Sequence, residues 1–193
     1  MLAAFADILG ARGLEFFLVH GTLLGWFRGR RMLPWDDDID LSLSIGVLEE
    51  LNRIRGEIRH PRFSLEVNPH FVERRTYNRN TFDGREPNKI DARFIDRDSG
   101  LFLDITALAP VASGVLATKC PHLYHVDEVF PLRRDSFEGI EVHVPRDPER
   151  LLHREYGPQC TTRTVFMGHC WWPGEQRWVA QSIALGLVPR PGG

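Results

Sequence analysis

Four aspartates lie within one short segment of the chain, Asp36-Asp37-Asp38-Ile39-Asp40. From Asp38 the sequence alternates between polar and apolar residues as far as Ser44, which is typical of a strand with one buried face. Side chains two positions apart point to the same face, so Asp38 and Asp40 present paired carboxylates to one point, and Asp37 faces the other way. Two such carboxylates repel each other unless a cation or a proton lies between them. The segment therefore predicts a divalent metal site.

A second chemical feature precedes the aspartates. The apolar run Phe16–Val19 ends at His20-Gly21-Thr22, where a helix-like pattern begins. The first turn of a helix leaves backbone N–H groups without partners, and these groups suit phosphate oxygens. A phosphate site at Gly21 and Thr22 that faces a metal at Asp38 and Asp40 is the simplest interpretation of both features.

A third carboxylate, Asp104, lies within the apolar strand predicted over residues 101–108. Burying even a neutral polar group without a partner costs roughly 2–7 kcal/mol, and burying a charge costs more. Asp104 must therefore have a partner, and either an arginine or a metal would serve.

The elements that must position these residues alternate between strands and helices. The first strand, residues 14–19, is apolar on both faces and is predicted to be central in its sheet. A polar stretch over residues 68–88 without periodicity is either a disordered segment or a functional lid. The other predicted elements are helices over 2–9, 22–27, 47–58 (N-cap Ser44) and 148–156 (N-cap Asp147), strands over 38–44, 63–67, 89–95 and 101–108, and a hairpin that pairs 128–132 with 140–144.

Composition limits the class of protein. A chain of 193 residues with 42% hydrophobic content suits one domain, predicted over residues 1–185, with a disordered tail over 186–193. The net charge of −2 gives no support for nucleic-acid binding, and no apolar run is long enough to span a membrane. The three cysteines, Cys120, Cys160 and Cys170, do not form a disulfide framework. Free thiols are expected, with zinc binding or a Cys160–Cys170 disulfide as alternatives.

In this order and spacing the motifs resemble the LicD family, which includes bacterial phosphocholine transferases, fukutin and the fukutin-related protein. The segments that carry the resemblance are His20–Gly25, Arg28, Pro34–Asp40 and Gly100–Ile105, with support from Phe130–Leu132, Phe137–Gly139, Val144-Pro145 and Leu152–Gly157. The resemblance implies an α+β fold, in which a nucleotidyltransferase-like mixed sheet is flanked by helices.

The same resemblance implies a reaction. A phosphorylated alcohol or sugar, such as phosphocholine, ribitol phosphate or mannosyl phosphate, would move from a nucleoside-diphosphate donor, CDP-linked by preference, to a glycan hydroxyl. Mg²⁺ or Mn²⁺ would be the cofactor, because phosphoryl transfer depends on charge neutralisation and alignment. Asp38, Asp40 and Asp104 would be the catalytic and metal-binding residues, and Asp104 could instead act as the base. The implied substrate-binding residues are Gly21, Thr22, Gly25, Arg28, Asp36 and Arg93.

Two other functions fit the same residues. The chain could be a nucleotidyltransferase that uses an NTP on a small molecule, or a non-catalytic regulator that binds the donor or the glycan. Three converging carboxylates favour catalysis over binding. The lack of a disulfide pattern favours a cytoplasmic protein, whereas a eukaryotic member of the family would lie in the Golgi or ER lumen.

Overall fold

The computed structural model describes residues 1–74, 89–119 and 122–187, and these residues form an α+β fold. A mixed sheet of seven strands is its centre, and two small antiparallel sheets and short helices surround it. The helices are α1 (Leu2–Gly10), α2 (His20–Gly29), α3 (Ile45–Ile54), α4 (Val126–Val129), α5 (Pro148–Tyr156) and α6 (Gln181–Ala184). The α+β class predicted through the family resemblance is therefore confirmed.

The main sheet has the order β1-β2-β5-β4-β3, and β6 and β7 extend it from the far end of β5. Strands β2 and β5 run parallel, and the other neighbours in this order are antiparallel. The strands are β1 (Phe17–Leu18), β2 (Ile39–Ser44), β3 (Phe63–Val67), β4 (Ala92–Asp96), β5 (Phe102–Ala112), β6 (Val115–Ala117), β7 (Leu123–His125), β8 (Arg133–Phe137), β9 (Ile140–Val144), β10 (Val165–Phe166), β11 (His169–Trp172) and β12 (Arg177–Ala180).

Two helix starts follow the local signals in the sequence. The Ser44 hydroxyl accepts a hydrogen bond from the backbone N–H of Val47 at 3.3 Å, which begins α3. The Asp147 carboxylate accepts one from the N–H of Arg150 at 3.1 Å, with Pro148 in the first turn of α5. Both N-caps are as predicted, although α3 ends at Ile54 and does not reach Ile58.

The prediction that the first strand is central is wrong. In the described part of the chain β1 pairs with β2 alone and forms an edge of the sheet. Residues 16–19 are nonetheless fully buried, because the segment packs against β9 as well as against β2. The apolar residues on both faces of this segment are therefore explained by an edge strand that β9 covers, and not by a central strand.

The predicted hairpin is correct in one strand and wrong in the other. Strand β9 pairs with Arg133–Phe137, whereas residues 126–129, which include part of the predicted partner, form α4. The Glu128 carboxylate accepts a hydrogen bond from the backbone N–H of His125 at 3.0 Å, which favours the helix. The turn at Glu138 and Gly139 brings both residues to positive φ, 51° and 77°.

The C-terminal part of the chain forms a small antiparallel sheet, β10-β11-β12, that sequence periodicity did not predict. Residues 75–88 of the predicted lid, Cys120 and residues 188–193 of the predicted tail lie outside the described residues. Among the helices that are described, none has the length and apolar character needed to cross a bilayer.

Candidate active site

The site lies where β2 and β5 run side by side. The parallel register pairs Asp40 with Asp104, and the antiparallel register of β4 pairs Arg93 with Asp104. Three charged residues are therefore in line across three adjacent strands. Asp38 precedes β2 by one residue and has the same parity as Asp40, so the predicted carboxylates meet at one end of the sheet.

Arg93 is the partner that Asp104 requires. The Arg93 Nε donates a hydrogen bond to Asp104 Oδ1 at 2.8 Å, and its guanidinium lies 4.3 Å from the ring centroid of Phe102. The prediction that Asp104 has an arginine or metal partner is thus satisfied by an arginine. Arg93 therefore balances the charge of the Asp104 carboxylate. The contact with the donor phosphate that the family resemblance implies would be a second role.

Asp36, Asp38, Asp40 and Asp104 form an acidic cluster in which two carboxyl groups have raised pKa values. Burial and the neighbouring charges of Asp38, Asp104 and Asp36 together raise the pKa of Asp40 to about 7, against a lowering effect of His20. Burial, with Asp38 and Asp37, raises the pKa of Asp36 to about 6. Such shifts mark a place where a positive charge would be strongly favoured.

The donor set at this place suits a hard cation. Carboxylate oxygens are the ligands that Mg²⁺ and Mn²⁺ prefer. Within the three described ranges, no group of three His, Cys, Asp or Glu side chains is close enough to form a complete metal cage. Mg²⁺ does not require such a group, because it often binds through one or two carboxylates and completes its coordination with water and substrate phosphates.

The N-terminus of α2 borders the acidic cluster. The Thr22 hydroxyl accepts a hydrogen bond from the backbone N–H of Asp40 at 2.9 Å, which fixes β2 against the helix. A Cβ at Gly21 would lie 2.7 Å from the Asp36 carboxylate, so glycine lets this carboxylate approach the helix end. The two predicted phosphate-binding residues therefore also position the aspartates.

Sequence reasoning missed a buried network behind His20. The His20 Nδ1 lies 2.9 Å from Glu155 Oε2, and Tyr124 donates its hydroxyl proton to Glu155 Oε1. Burial opposes the charge on His20, but Glu155, Asp40 and Asp38 outweigh it and raise the histidine pKa. The hydrogen bonds from His20 and Tyr124 overcome the effect of burial and lower the pKa of Glu155. His20 adopts φ 52°, so it also shapes the turn into α2.

Two predicted substrate-binding residues lie farther along α2. Gly25 allows a close approach of the following loop, since a Cβ there would lie 2.4 Å from the Arg31 carbonyl oxygen. Arg28 is buried, donates from Nη1 to the Thr161 carbonyl at 2.7 Å, and lies 4.4 and 5.0 Å from the ring centroids of Trp171 and Trp178. Burial lowers the pKa of Arg28. These contacts give both residues packing roles.

Cys160 and Cys170 are free thiols in the structure, so the alternative of a disulfide between them is wrong. The zinc alternative depended on Cys120, which lies outside the described residues.

Comparison with known proteins agrees with this geometry. A family model described as the LicD/FKTN/FKRP nucleotidyltransferase domain matches residues 13–147. Mannosyltransferase regulator 4 of Saccharomyces cerevisiae is 34% identical over 58% of this chain, and Mannosyltransferase regulator 14 of the same yeast is 35% identical over 56%. An uncharacterized protein of Rickettsia prowazekii is 26% identical over 78% of the chain.

The relatives are much longer than the matched segments. The matches span 10% and 12% of the two yeast proteins and 50% of the rickettsial one. The family model begins before α2 and ends at the N-cap of α5. It therefore includes Asp38, Asp40, Asp104 and Arg93, but not Glu155 or the C-terminal sheet.

Proposed function

This chain belongs to the LicD/FKTN/FKRP nucleotidyltransferase-domain family, and we propose that it is a metal-dependent phosphotransferase. It would move a phosphorylated alcohol or sugar from a nucleoside-diphosphate donor, CDP-linked by preference, to a glycan hydroxyl. The observation that carries the proposal is the in-register pair Asp40 and Asp104 on parallel strands, next to the N-terminus of α2.

Each residue of the site has a proposed role. Asp38 and Asp40 would hold Mg²⁺ or Mn²⁺, with Asp104 as the third ligand or as the base that receives the proton of the acceptor hydroxyl. The metal, when bound, would neutralise charge on the donor phosphates. Backbone N–H groups at Gly21 and Thr22 would bind the same phosphates. Arg93 would hold the Asp104 carboxylate in place through the 2.8 Å hydrogen bond.

A regulatory function is the second candidate, and a specific observation favours it. The two yeast relatives are named regulators of a mannosyltransferase, and neither name describes a transferase activity. A protein of this kind would bind the donor or the glycan through the same site without turnover. Arg93 on Asp104 is compatible with that function, because the ion pair already neutralises one of the three carboxylates.

The decisive experiment measures release of the nucleoside monophosphate from CDP-, UDP- and GDP-linked donors, with and without Mn²⁺ and with a glycan acceptor. Asp40→Asn should lower the rate at least about 100-fold, because electrostatic stabilisation of that size is typical of one essential charged group. Asp37→Asn is the matched control, because Asp37 is exposed and has no role in the proposed site, so the rate should stay near that of the wild type.

The possible outcomes separate the candidates. Metal-dependent release that Asp40→Asn abolishes supports the transferase. Donor binding without release, across all three bases and acceptors, would support the regulator. Full activity of Asp40→Asn would contradict the proposed metal site.

A further inference from the structure

A cavity of about 220 Å³ lies beside the N-terminus of α2. Gly21 and Asp36 border it on the side of the acidic cluster, and residues of the C-terminal segment border it on the other. Four aromatic residues contribute to its lining, and we call the cavity the aromatic pocket: Trp35, Tyr156, Phe166 and Trp178. The pocket therefore continues from the proposed phosphate site into a part of the chain beyond residue 147, which the family model does not match.

Three of the aromatic rings form a connected wall. The Trp35 centroid lies 5.3 Å from that of Phe166 and 5.0 Å from that of Trp178, both in edge-to-face geometry. Such pairs stabilise one another and hold the rings in place. The wall provides preformed surfaces on which a flat ligand could stack.

Two arginines belong to the same pocket and restrict the charge of its ligand. The Arg28 guanidinium lies 5.0 Å from the Trp178 ring and that of Arg163 lies 4.9 Å from the Phe166 ring. They occupy cation–π positions that a cationic ligand would otherwise use, and their charge would repel it. A neutral or anionic ligand is therefore favoured over an ammonium group.

Trp178, one of the wall residues, carries a buried hydrogen-bond donor. The Trp178 indole Nε1 is buried and has no hydrogen-bond partner among the described residues. A buried donor of this kind is uncommon and needs an acceptor. Together with the guanidinium N–H groups, it favours a ligand whose edge carries carbonyl oxygens or ring nitrogens.

The size of the pocket limits the ligand to one ring system. Sites for drug-sized ligands typically have volumes of roughly 300–1,000 Å³, and this pocket is smaller. A sugar ring would fit by volume, but the aromatic residues of the lining offer flat surfaces that suit a planar ring better. A planar heteroaromatic base satisfies the shape, the stacking surfaces and the donors together.

We propose that the aromatic pocket binds the base of the nucleoside-diphosphate donor, so that the C-terminal segment determines which donor the protein accepts. The inference rests on the proposed function, because it places the base of the proposed donor. With the base in the pocket, the diphosphate would lie at the border formed by Gly21 and Asp36, next to the acidic cluster. Phe166 and Trp178 would act as specificity-determining residues, Phe166 by stacking and Trp178 by stacking and by donating its N–H to the base.

The test compares two probes on the full chain, each titrated by calorimetry in the presence of Mn²⁺. CDP, UDP and GDP report on the base and the phosphates together, and inorganic pyrophosphate reports on the phosphate site without a base. Phe166→Ala should weaken binding of the best nucleoside diphosphate about tenfold, in line with the loss of one stacking contact, and leave pyrophosphate binding unchanged. Val165→Ala is the matched control, since Val165 is the exposed neighbour on β10 and does not line the pocket.

Trp178→Phe is a second variant that keeps an aromatic ring and removes the indole N–H. It should weaken binding of the same nucleoside diphosphate and reduce the difference in affinity among CDP, UDP and GDP. Binding of pyrophosphate should again stay unchanged. Melting temperatures near that of the wild type would verify that both variants fold.

The outcomes distinguish the two proposals. Unchanged nucleotide affinity in both variants would overturn the aromatic pocket as the base site and leave the proposed function intact. Equal weakening of pyrophosphate and nucleotide would also overturn it, because the residues would then act on the phosphate site or on the fold. Failure of the wild type to bind any probe with Mn²⁺ would contradict the proposed function itself.

Discussion

Some residues of the candidate site can be predicted from the local sequence pattern, and others depend on contacts between distant parts of the chain. Asp38, Asp40 and Asp104 could be predicted because strand alternation fixes which side chains share a face. The Arg93 partner of Asp104 depends on the register of β4 against β5, and sequence reasoning reached no further than the need for some cation. Glu155 was missed although it lies four residues after Leu151 and three after Leu152, both buried on the inner face of α5. A carboxylate at that spacing requires a buried partner, and this signal would have found it.

At the residue scale, Glu155→Gln should destabilise the protein by about 1.5–3 kcal/mol, the range for hydrogen bonds to a charged group. The neutral amide keeps the shape of the side chain but loses the charge that His20 and Tyr124 now face. Urea unfolding at pH 7 measures this cost. Glu149→Gln, on the exposed side of the same helix, should change stability by less than about 0.5 kcal/mol. Equal values for the two variants would mean that the buried network contributes nothing.

At the scale of elements, sequence predicted the strands with clear alternation or long apolar runs and missed the short ones. Strand β3 has the predicted bounds, and β2 differs by one residue. The C-terminal sheet gave no periodic signal because its strands have two to four residues and most of their side chains are partly exposed. Rings from distant parts of the chain also pack against this sheet, such as Trp35 against Trp178, and no local window contains both residues.

The stability contributed by the antiparallel pair β3 and β4 should depend on pH. The Arg62 Nε donates to both carboxylate oxygens of Asp96 at 3.0 Å and holds the Asp96 pKa well below its usual range. A carboxyl group whose pKa is lowered by folding adds stability above its unfolded pKa, about 3.9, and loses it as the pH falls toward the folded value.

Arg62→Gln should therefore lower the melting temperature at pH 7, and the difference from the wild type should shrink as the pH is lowered to about 2.5. Thermal unfolding at a series of pH values measures this. The control is Arg97→Gln, because Arg97 donates to the His60 carbonyl, which does not titrate. If the difference in melting temperature between Arg62→Gln and the wild type stayed constant with pH, the ion pair would not contribute to stability.

At the scale of the whole molecule, the part matched by the family model and the part beyond it meet at α2. One end of α2 borders the acidic cluster, and its last turn packs against the C-terminal sheet. A Cβ at Gly29 would lie 2.3 Å from the Gln176 carbonyl oxygen. The two residues are more than a hundred positions apart, so no local pattern in the sequence indicates this contact. It holds the turn that precedes Trp178, which lines the aromatic pocket, against the last turn of α2.

Gly29→Ala should therefore separate the C-terminal sheet from α2. Overpacking of this kind costs about 1–3 kcal/mol, whereas Gly46→Ala in α3 meets no atom within 4 Å and should stabilise by at most about 1 kcal/mol. Limited proteolysis of both variants measures the separation, and Gly29→Ala should be cleaved faster within residues 160–180. Discrimination between CDP, UDP and GDP should decline in the same variant while pyrophosphate binding persists. If Gly29→Ala resisted the protease as well as Gly46→Ala, the sheet could not depend on this contact, and its packing on α2 would have to rest on Arg28 and the tryptophans.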